Sequence, residues 1–279
     1  MGIRRPDGAF CGSPRSAHAD GDGMRFAVTN QKGGVGKTTT CINLAAALAE
    51  RGRRVLLVDL DPQGNASTGL GRDEDARPVT SYDLFAGQMT AEDVQPTEVD
   101  GIDLIPASRD LSGLDTELAG DRDRLRRLSD AMRRLDARWD VILYDCPPSL
   151  GLLTLSALVA ADAVLIPLQA EYFALEGLSQ MLRTVKEVRT RANPDLRIAG
   201  VLLTMTDHRN NLSRQVEADV RATLPGLVFE TMVPRNVRLS EAPSHAQPVL
   251  VYDTASRGSR AYRALGLEIE RMLTTPEAA

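Results

Sequence analysis

The stretches "VLLVDLD", "VILYDCP", "AVLIPLQ" and "AGVLLTM" set the strongest limit on how this chain can fold. Each runs apolar residue after apolar residue instead of alternating with polar ones. A strand of that kind must be covered on both faces, and helices are the usual cover for a mostly parallel sheet. "RFAVTN", "GIDLIPA" and "GLVFETMVP" are further strand candidates. Between them lie segments with helical spacing: 37–51, 108–138 with breaks, 150–160, 175–191, 212–224 and 256–273. Strand and helix alternate along the chain, so the expected class is α/β, a doubly wound sheet with helices on both faces. The 279 residues, 43% of them hydrophobic, suffice for one large core. No internal repeat or Pro-rich linker interrupts residues 24–279, which read as a single domain.

Residues 1–23, "MGIRRPDGAFCGSPRSAHADGDG", have a different character. They are rich in Gly, Asp, Arg and Pro and contain no apolar stretch, so they read as a disordered extension and not as a secretion signal. Met24 stands directly before the first strand as an alternative start. The net charge of −5 excludes a polycation, so any nucleic-acid surface has to be local or confined to one state. Cys11, Cys41 and Cys146 have no metal-ligand spacing and are too few for a disulfide framework, which fits a reducing cytoplasm. The longest apolar run, 152–168, is cut by Asp162 and is too broken to span a bilayer.

"NQKGGVGKTTT", residues 30–40, follows the first strand and opens the first helix. Gly33, Gly34 and Gly36 allow the backbone to turn its N–H groups onto phosphate oxygens, and the helix start adds its positive end. Lys37 would reach the outer phosphates and the Thr38 hydroxyl would ligate Mg²⁺. Yet Gln31 occupies the place of the usual opening glycine, and a second lysine, Lys32, stands beside it. The carboxylates that a magnesium–nucleotide site needs fall at strand ends: Asp59 and Asp61 in "VDLDPQGN", Asp145 in "VILYDCPPS". In a doubly wound sheet ligands collect at the carboxyl ends of strands, so one rim gathers all of them.

Together "KGGVGKTTT", "VLLVDLDPQGNAS", "DCPPSLGLLTLSAL", "EYFALEGLSQ", "GVLLTMTD" and "VPRNVRLSEAPSHAQPVLVYD" resemble the ParA/Soj chromosome-partitioning ATPases of the deviant Walker A, MinD-like superfamily of P-loop NTPases. The likeness runs from about Met24 to Leu273. It implies an ATP and Mg²⁺ site built from Lys32, Gly33, Gly34, Val35, Gly36, Lys37, Thr38 and Thr39, with Asp59 in the same network and Thr38, Asp61 and Asp145 around the metal. It implies that Lys32 reaches the phosphates held by a second subunit in a sandwich dimer. Asp61 would orient the attacking water for slow hydrolysis. The base would lie against Met205, Pro234 and Asn236. A ParB-type centromere-binding partner that stimulates hydrolysis, and a nucleoid-associated cytoplasmic location, are further implications.

In the same relatives, basic residues at the positions of Arg209 and Arg238 meet non-specific double-stranded DNA when ATP has formed the dimer. Dimer symmetry doubles a small basic patch, and with it the number of phosphates neutralised. Arg214 and Arg235 lie in the same two loops. The Arg-rich run "RDRLRRLSDAMRRLDARW" instead reads as a solvated helix face, because Asp121, Asp123, Asp130 and Asp136 alternate with its arginines and Leu125, Leu128, Met132 and Leu135 take the apolar positions. His208 and His245 read as surface residues. The alternative function is a MinD-type ATPase cycling on membranes. It needs a basic amphipathic C-terminal helix, whereas Tyr262, Leu265, Leu267 and Ile269 read here as packing onto the sheet, and no membrane partner is expected.

Overall fold

The computed structural model describes residues 23–135, 138–171, 174–207 and 209–274. All but the last residue of the expected disordered extension, with Asp136 and His208, lie outside the described set. The strands are β1 (Met24–Val28), β2 (Val55–Asp59), β3 (Gln95–Pro96), β4 (Ile102–Ile105), β5 (Val141–Asp145), β6 (Ala163–Gln169), β7 (Arg197–Thr206) and β8 (Val228–Pro234). They form one sheet in the order β3-β4-β2-β5-β1-β6-β7-β8. Every neighbouring pair is parallel except β3–β4.

The order contains the switch that makes a site. From β1 the chain crosses to β2 on one side, leaving a gap that β5 later fills, and then passes to β6 on the other side of β1. In register, Val28 faces Asp145 and Asp145 faces Asp59. Three strands therefore end level with one another, and whatever follows them leaves the sheet side by side.

Side chains alternate between two cores along the central strands. Phe26, Val28, Val55, Leu57, Val141 and Leu143 pack on one face, and Ala27, Leu56, Val58, Ile142 and Tyr144 on the other. Both faces of the pleat are apolar, which is why these strands lack a polar–apolar pattern.

The principal helices are α1 (Lys37–Ala49), α2 (Asn65–Gly69), α3 (Ser81–Ala86), α4 (Leu114–Glu117), α5 (Arg127–Arg134), α6 (Leu152–Ala160), α7 (Ala174–Arg191), α8 (Asn211–Thr223), α9 (Val237–Glu241), α10 (Val249–Tyr252) and α11 (Arg257–Thr274). The segment 108–138, expected to be helical with breaks, is indeed interrupted. Two 3-10 turns and the short α4 precede α5, with Gly113 and Gly120 at the interruptions, where backbone freedom opposes the helix. Within α5, Leu128 and Met132 are buried as the apolar spacing requires, and Leu135 just beyond it is buried too.

α1 and α11 lie together on one face of the sheet. Tyr262, Leu265 and Ile269 are buried there, but Leu267 is 42% exposed, against expectation. Two residues on from Leu265 is about 200° around a helix, so Leu267 looks outward. The two helices touch closely enough that a Cβ on Gly266 would lie 3.0 Å from the Ala47 Cβ. Thr40 Oγ1 and the Tyr262 hydroxyl share a hydrogen bond of 3.2 Å, and Arg53–Glu270 and Arg263–Glu50 close the edges. The terminal helix thus braces α1, whose first turn belongs to the glycine loop. Gly266→Val should cost about 1–3 kcal/mol in urea unfolding through overpacking, whereas Leu267→Ala should stay within about 0.5 kcal/mol. Equal costs would contradict this packing.

Candidate nucleotide site

The loop between β1 and α1 is held from below. Asn30 Nδ2 donates to the Pro167 carbonyl at 2.8 Å, Asn30 Oδ1 accepts from the Lys32 N–H at 3.1 Å, and Thr204 Oγ1 donates to the Val35 carbonyl at 2.9 Å. Gly34 and Gly36 adopt φ of 73° and 88°, where a side chain would be strained. No side chain caps α1 and no acidic residue sits in its first turn. Its leading N–H groups, with their positive dipole end, face the loop.

The two lysines part company. Lys37 is 7% exposed and its ammonium donates to the Lys32 carbonyl at 3.1 Å, inside the loop. Burial lowers its pKa, an effect opposed by Asp145 and Asp61. The Lys32 side chain is 50% exposed and its ammonium pairs with Glu171, at the end of the segment after β6. One cation therefore lies within the phosphate loop and the other on the molecular surface beside it. Gly33, Thr38 and Thr39 complete the loop and the first turn of α1.

Asp59 and Asp145 are fully buried and Asp61 is 9% exposed. Their roles differ by partner. Asp59 Oδ1 accepts from the Asp61 N–H at 3.1 Å, and Oδ2 from Ser67 N and Oγ at 2.9 and 2.6 Å. Its oxygens are thus engaged in fixing the segment that carries Asp61. The sequence Asp61-Pro62-Gln63-Gly64 closes as a turn, with Gly64 N–H donating to the Asp61 carbonyl at 2.8 Å, and Asp61 Oδ1 accepts from Gln63 N–H at 3.0 Å. Asp145 Oδ1 meets the Cys41 thiol at 3.5 Å and the buried Oδ2 has no hydrogen-bond partner, while Thr38 nearby favours the charged carboxylate. Burial and mutual repulsion push Asp59 up to about 6 and Asp145 up to about 8.

A divalent cation fits this arrangement. Adjacent carboxyls repel, the ammonium beside them is that of Lys37, and one carboxyl oxygen is buried without a partner. Among the described residues no three His, Cys, Asp or Glu converge into a cage of their own. That matches Mg²⁺, which binds through one or two carboxylates plus phosphates and water. Cys41 and Cys146, both buried and free, are held as thiols by burial, which pushes them well up.

Near the end of β7 the pairing with β8 shifts register between Leu203 and Thr206. Met205 has φ of 52°, a left-handed value unusual for a residue with a side chain. Just past it a cleft of about 310 Å³ opens between Thr206, Asp207, Arg209, Pro234, Arg235 and Arg257, and it continues toward Met232, Arg260 and Ala261. Asn236 Oδ1 caps α9 by accepting from Arg238 N–H at 2.9 Å, so its amide N–H₂ remains for other partners. Arg209 pairs with Asp207 at 3.2 Å, and Arg238 with Glu241 at 2.8 Å and Asp253 at 3.2 Å. Such exposed pairs are weak and yield readily to a stronger anion. His245 stacks on Tyr252 at 4.7 Å, in keeping with a surface role.

Several residues that build the site do not stand out within their motifs. Ser67, Asn30, Thr204 and Glu171 act through hydrogen bonds or an ion pair whose partners mostly lie in other segments, which spacing does not encode. Arg257 and Arg260 are readable from the sequence only as the start of a terminal helix.

Residues 24–198 match the family model described as "AAA domain". The chain is 52% identical over 248 residues to the chromosome partitioning protein ParA of Myxococcus xanthus, covering 88% of each. It is 50% identical over 248 residues to the sporulation initiation inhibitor protein Soj of Bacillus subtilis, covering 88% of this chain and 98% of that one. Among solved structures it resembles a cobyrinic acid a,c-diamide synthase from Mycobacterium smegmatis with bound ATP analog and magnesium, at a TM-score of 0.82 and 38% identity, covering 92% of this chain and 99% of that one.

A carboxyl whose pKa is raised on folding adds stability that is complete below about pH 3.8 and is lost as pH climbs through the folded value, about 8 for Asp145. Asp145→Asn, which cannot charge, should therefore melt above the wild type at pH 8, the gap shrinking toward pH 4. The same variant should lose the Mg²⁺-dependent rise in melting temperature that ATP gives the wild type. A variant less stable at pH 8, or still stabilised by Mg²⁺ and ATP, would contradict the assignment.

Proposed function

The chain belongs to the ParA/Soj family of chromosome-partitioning ATPases, and from that premise we propose a cycle in which ATP joins two copies, the pair grips DNA without regard to sequence, and hydrolysis lets go. It is an ATPase that uses ATP with Mg²⁺. The observation that carries the reading is the division between Lys37, buried inside its own phosphate loop, and Lys32, exposed beside it.

The residues act as follows in this reading. Backbone N–H groups from Gly33 to Thr39 and the Lys37 ammonium hold the phosphates. Thr38 and Asp145, with Asp61, hold Mg²⁺, which supplies counter-charge to the triphosphate when bound. Asp61, fixed by its own turn, orients a water on the γ-phosphate, and Asp59 keeps that turn in place. Phosphoryl transfer is served mainly by positioning and charge, so a carboxylate without strong basicity is adequate for a slow reaction. Met205, Pro234 and Asn236 border the base at the cleft beyond Thr206, in keeping with the strained backbone there.

Lys32 leaves Glu171 and takes the triphosphate of the other copy. Two triphosphates brought face to face repel, and a lysine from each side offsets that repulsion and stabilises charge on the γ-phosphoryl group. The exposed pair with Glu171 costs about 1 kcal/mol or less to open, small beside a contact to a triphosphate. Arg209 and Arg238, supported by Arg235, Arg257 and Arg260 around the cleft, form a patch that becomes effective when doubled. A ParB-type centromere-binding protein stimulates hydrolysis and so release. Against a membrane cycle stands α11, whose apolar side is already buried on α1 and the sheet. No helix of the described residues is long and apolar enough to cross a membrane.

Binding to several unrelated duplexes, measured against salt with ADP, ATP and a non-hydrolysed analogue, tests the cycle. DNA binding should appear with ATP and the analogue and be weak with ADP. Arg238→Ala should weaken it alike on every sequence and lower the salt slope by about two per dimer, since each copy then leaves one more phosphate with its counterions. Equal binding with ADP, or a defect confined to certain sequences, would count against the cycle.

A further inference from the structure

Arg77 stands well outside the phosphate loop, yet its guanidinium meets the segment that presents Asp61. Nε and Nη2 donate to the Arg72 carbonyl at 2.9 and 2.8 Å, and Nη1 to the Ala107 carbonyl at 3.0 Å. Nη2 also meets the Gly64 carbonyl at 3.3 Å and Thr68 Oγ1 at 2.8 Å. One side chain thus ties together the end of the Asp61 turn, the body and the exit of α2, and the loop after β4. Its acceptors are carbonyls and a hydroxyl, so its service is geometric: a planar fork reads several fixed oxygens at once, which an ammonium cannot copy.

The tie leads to Asp61 by two routes. Gly64, whose carbonyl meets Arg77, donates its N–H to the Asp61 carbonyl and closes the turn at 2.8 Å. Ala107, whose carbonyl also meets Arg77, donates its N–H to Ser67 Oγ at 3.0 Å, and that hydroxyl donates to Asp59, which in turn accepts from the Asp61 N–H. Gly64 adopts φ of 63°, and a Cβ there would overlap Arg77 Nη1. The glycine therefore serves two needs, a left-handed backbone and room for the guanidinium.

We infer that Arg77 is a positioning residue for hydrolysis, acting through the Gly64 turn to hold Asp61 in register with the phosphate loop. The inference rests on the reading that Asp61 orients the attacking water. With the tie intact, the turn stays fixed; without it, α2 and its leading turn can shift while the phosphate loop, anchored by Asn30 and Thr204, stays put. Binding of ATP should survive and turnover should fall.

The test is single-turnover hydrolysis of ATP by the full chain at saturating nucleotide, beside equilibrium binding of a fluorescent non-hydrolysed ATP analogue. Arg77→Ala should lower the rate about tenfold or more, as small misplacements of reacting groups do, while analogue affinity changes less than about twofold. Arg77→Lys should rescue little, and Gly64→Ala, which expels the guanidinium, should give the same split. Adding Arg77→Ala to Asp61→Ala should cause no further loss, since the two act in series. An unchanged rate in Arg77→Ala, losses of rate and affinity in equal measure, or full additivity with Asp61→Ala would overturn the inference. Should Arg77→Ala melt too low to assay, Arg77→Lys and Gly64→Ala decide by the same criteria. If Asp61→Ala itself hydrolyses at the wild-type rate, the reading of Asp61 has failed, an outcome distinct from an inert Arg77.

Discussion

The alignment of three strand ends is the constraint from which the rest of the molecule follows. Because Val28, Asp145 and Asp59 share a register line, the chain delivers a phosphate loop and two buried carboxyls to the same edge of the sheet. Those carboxyls repel one another and resist ionisation in their dry surroundings. The arrangement is poor in its own cations and suited to a metal that comes with a nucleotide. A site assembled this way gains stability when occupied, so nucleotide state can govern what the surface above it does.

Charge also explains the division of labour among basic residues. Lys37 is enclosed and committed to its own loop; Lys32 is exposed and lightly held by Glu171. Arg209 and Arg238 are likewise lightly held, Arg209 by Asp207 in its own loop and Arg238 by Glu241 and Asp253. A molecule with a net charge of −5 can in this way keep its cations screened until a polyanion competes for them. Weak internal pairing would suit the reversible attachment proposed above.

How much of this is legible in the residues alone depends on the kind of signal. Continuous apolar strands such as Val141–Asp145 announce themselves, as do the glycine loop and the aspartates at strand ends, because each depends on a short local pattern. The short helices α2, α3, α9 and α10 do not, being briefer than the turns over which a helical period can be recognised, and β3 is two residues long with a proline. Leu267 departs from its expected burial because hydrophobicity without angular position does not say which face a residue occupies. The proposed base site is legible only in part: Met205 and Pro234 follow from resemblance, whereas the left-handed backbone at Met205 and the arginines of α11 beside the cleft emerge only when distant segments meet. The partnerships of Arg77 and Glu171 are invisible for the same reason, since hydrogen bonds and ion pairs across the fold leave no spacing in the chain.

The central claim is that Lys32 completes a site on another copy of the chain. Its most direct measurement is hydrolysis by a mixture of two separately crippled variants, Lys32→Ala and Lys37→Ala. A mixed pair holds one whole site, with Lys37 from the first chain and Lys32 from the second, so mixing should restore turnover well above the sum of the parts. A mixture no more active than its components, with mixed pairs shown to form, would mean that Lys32 serves only its own nucleotide.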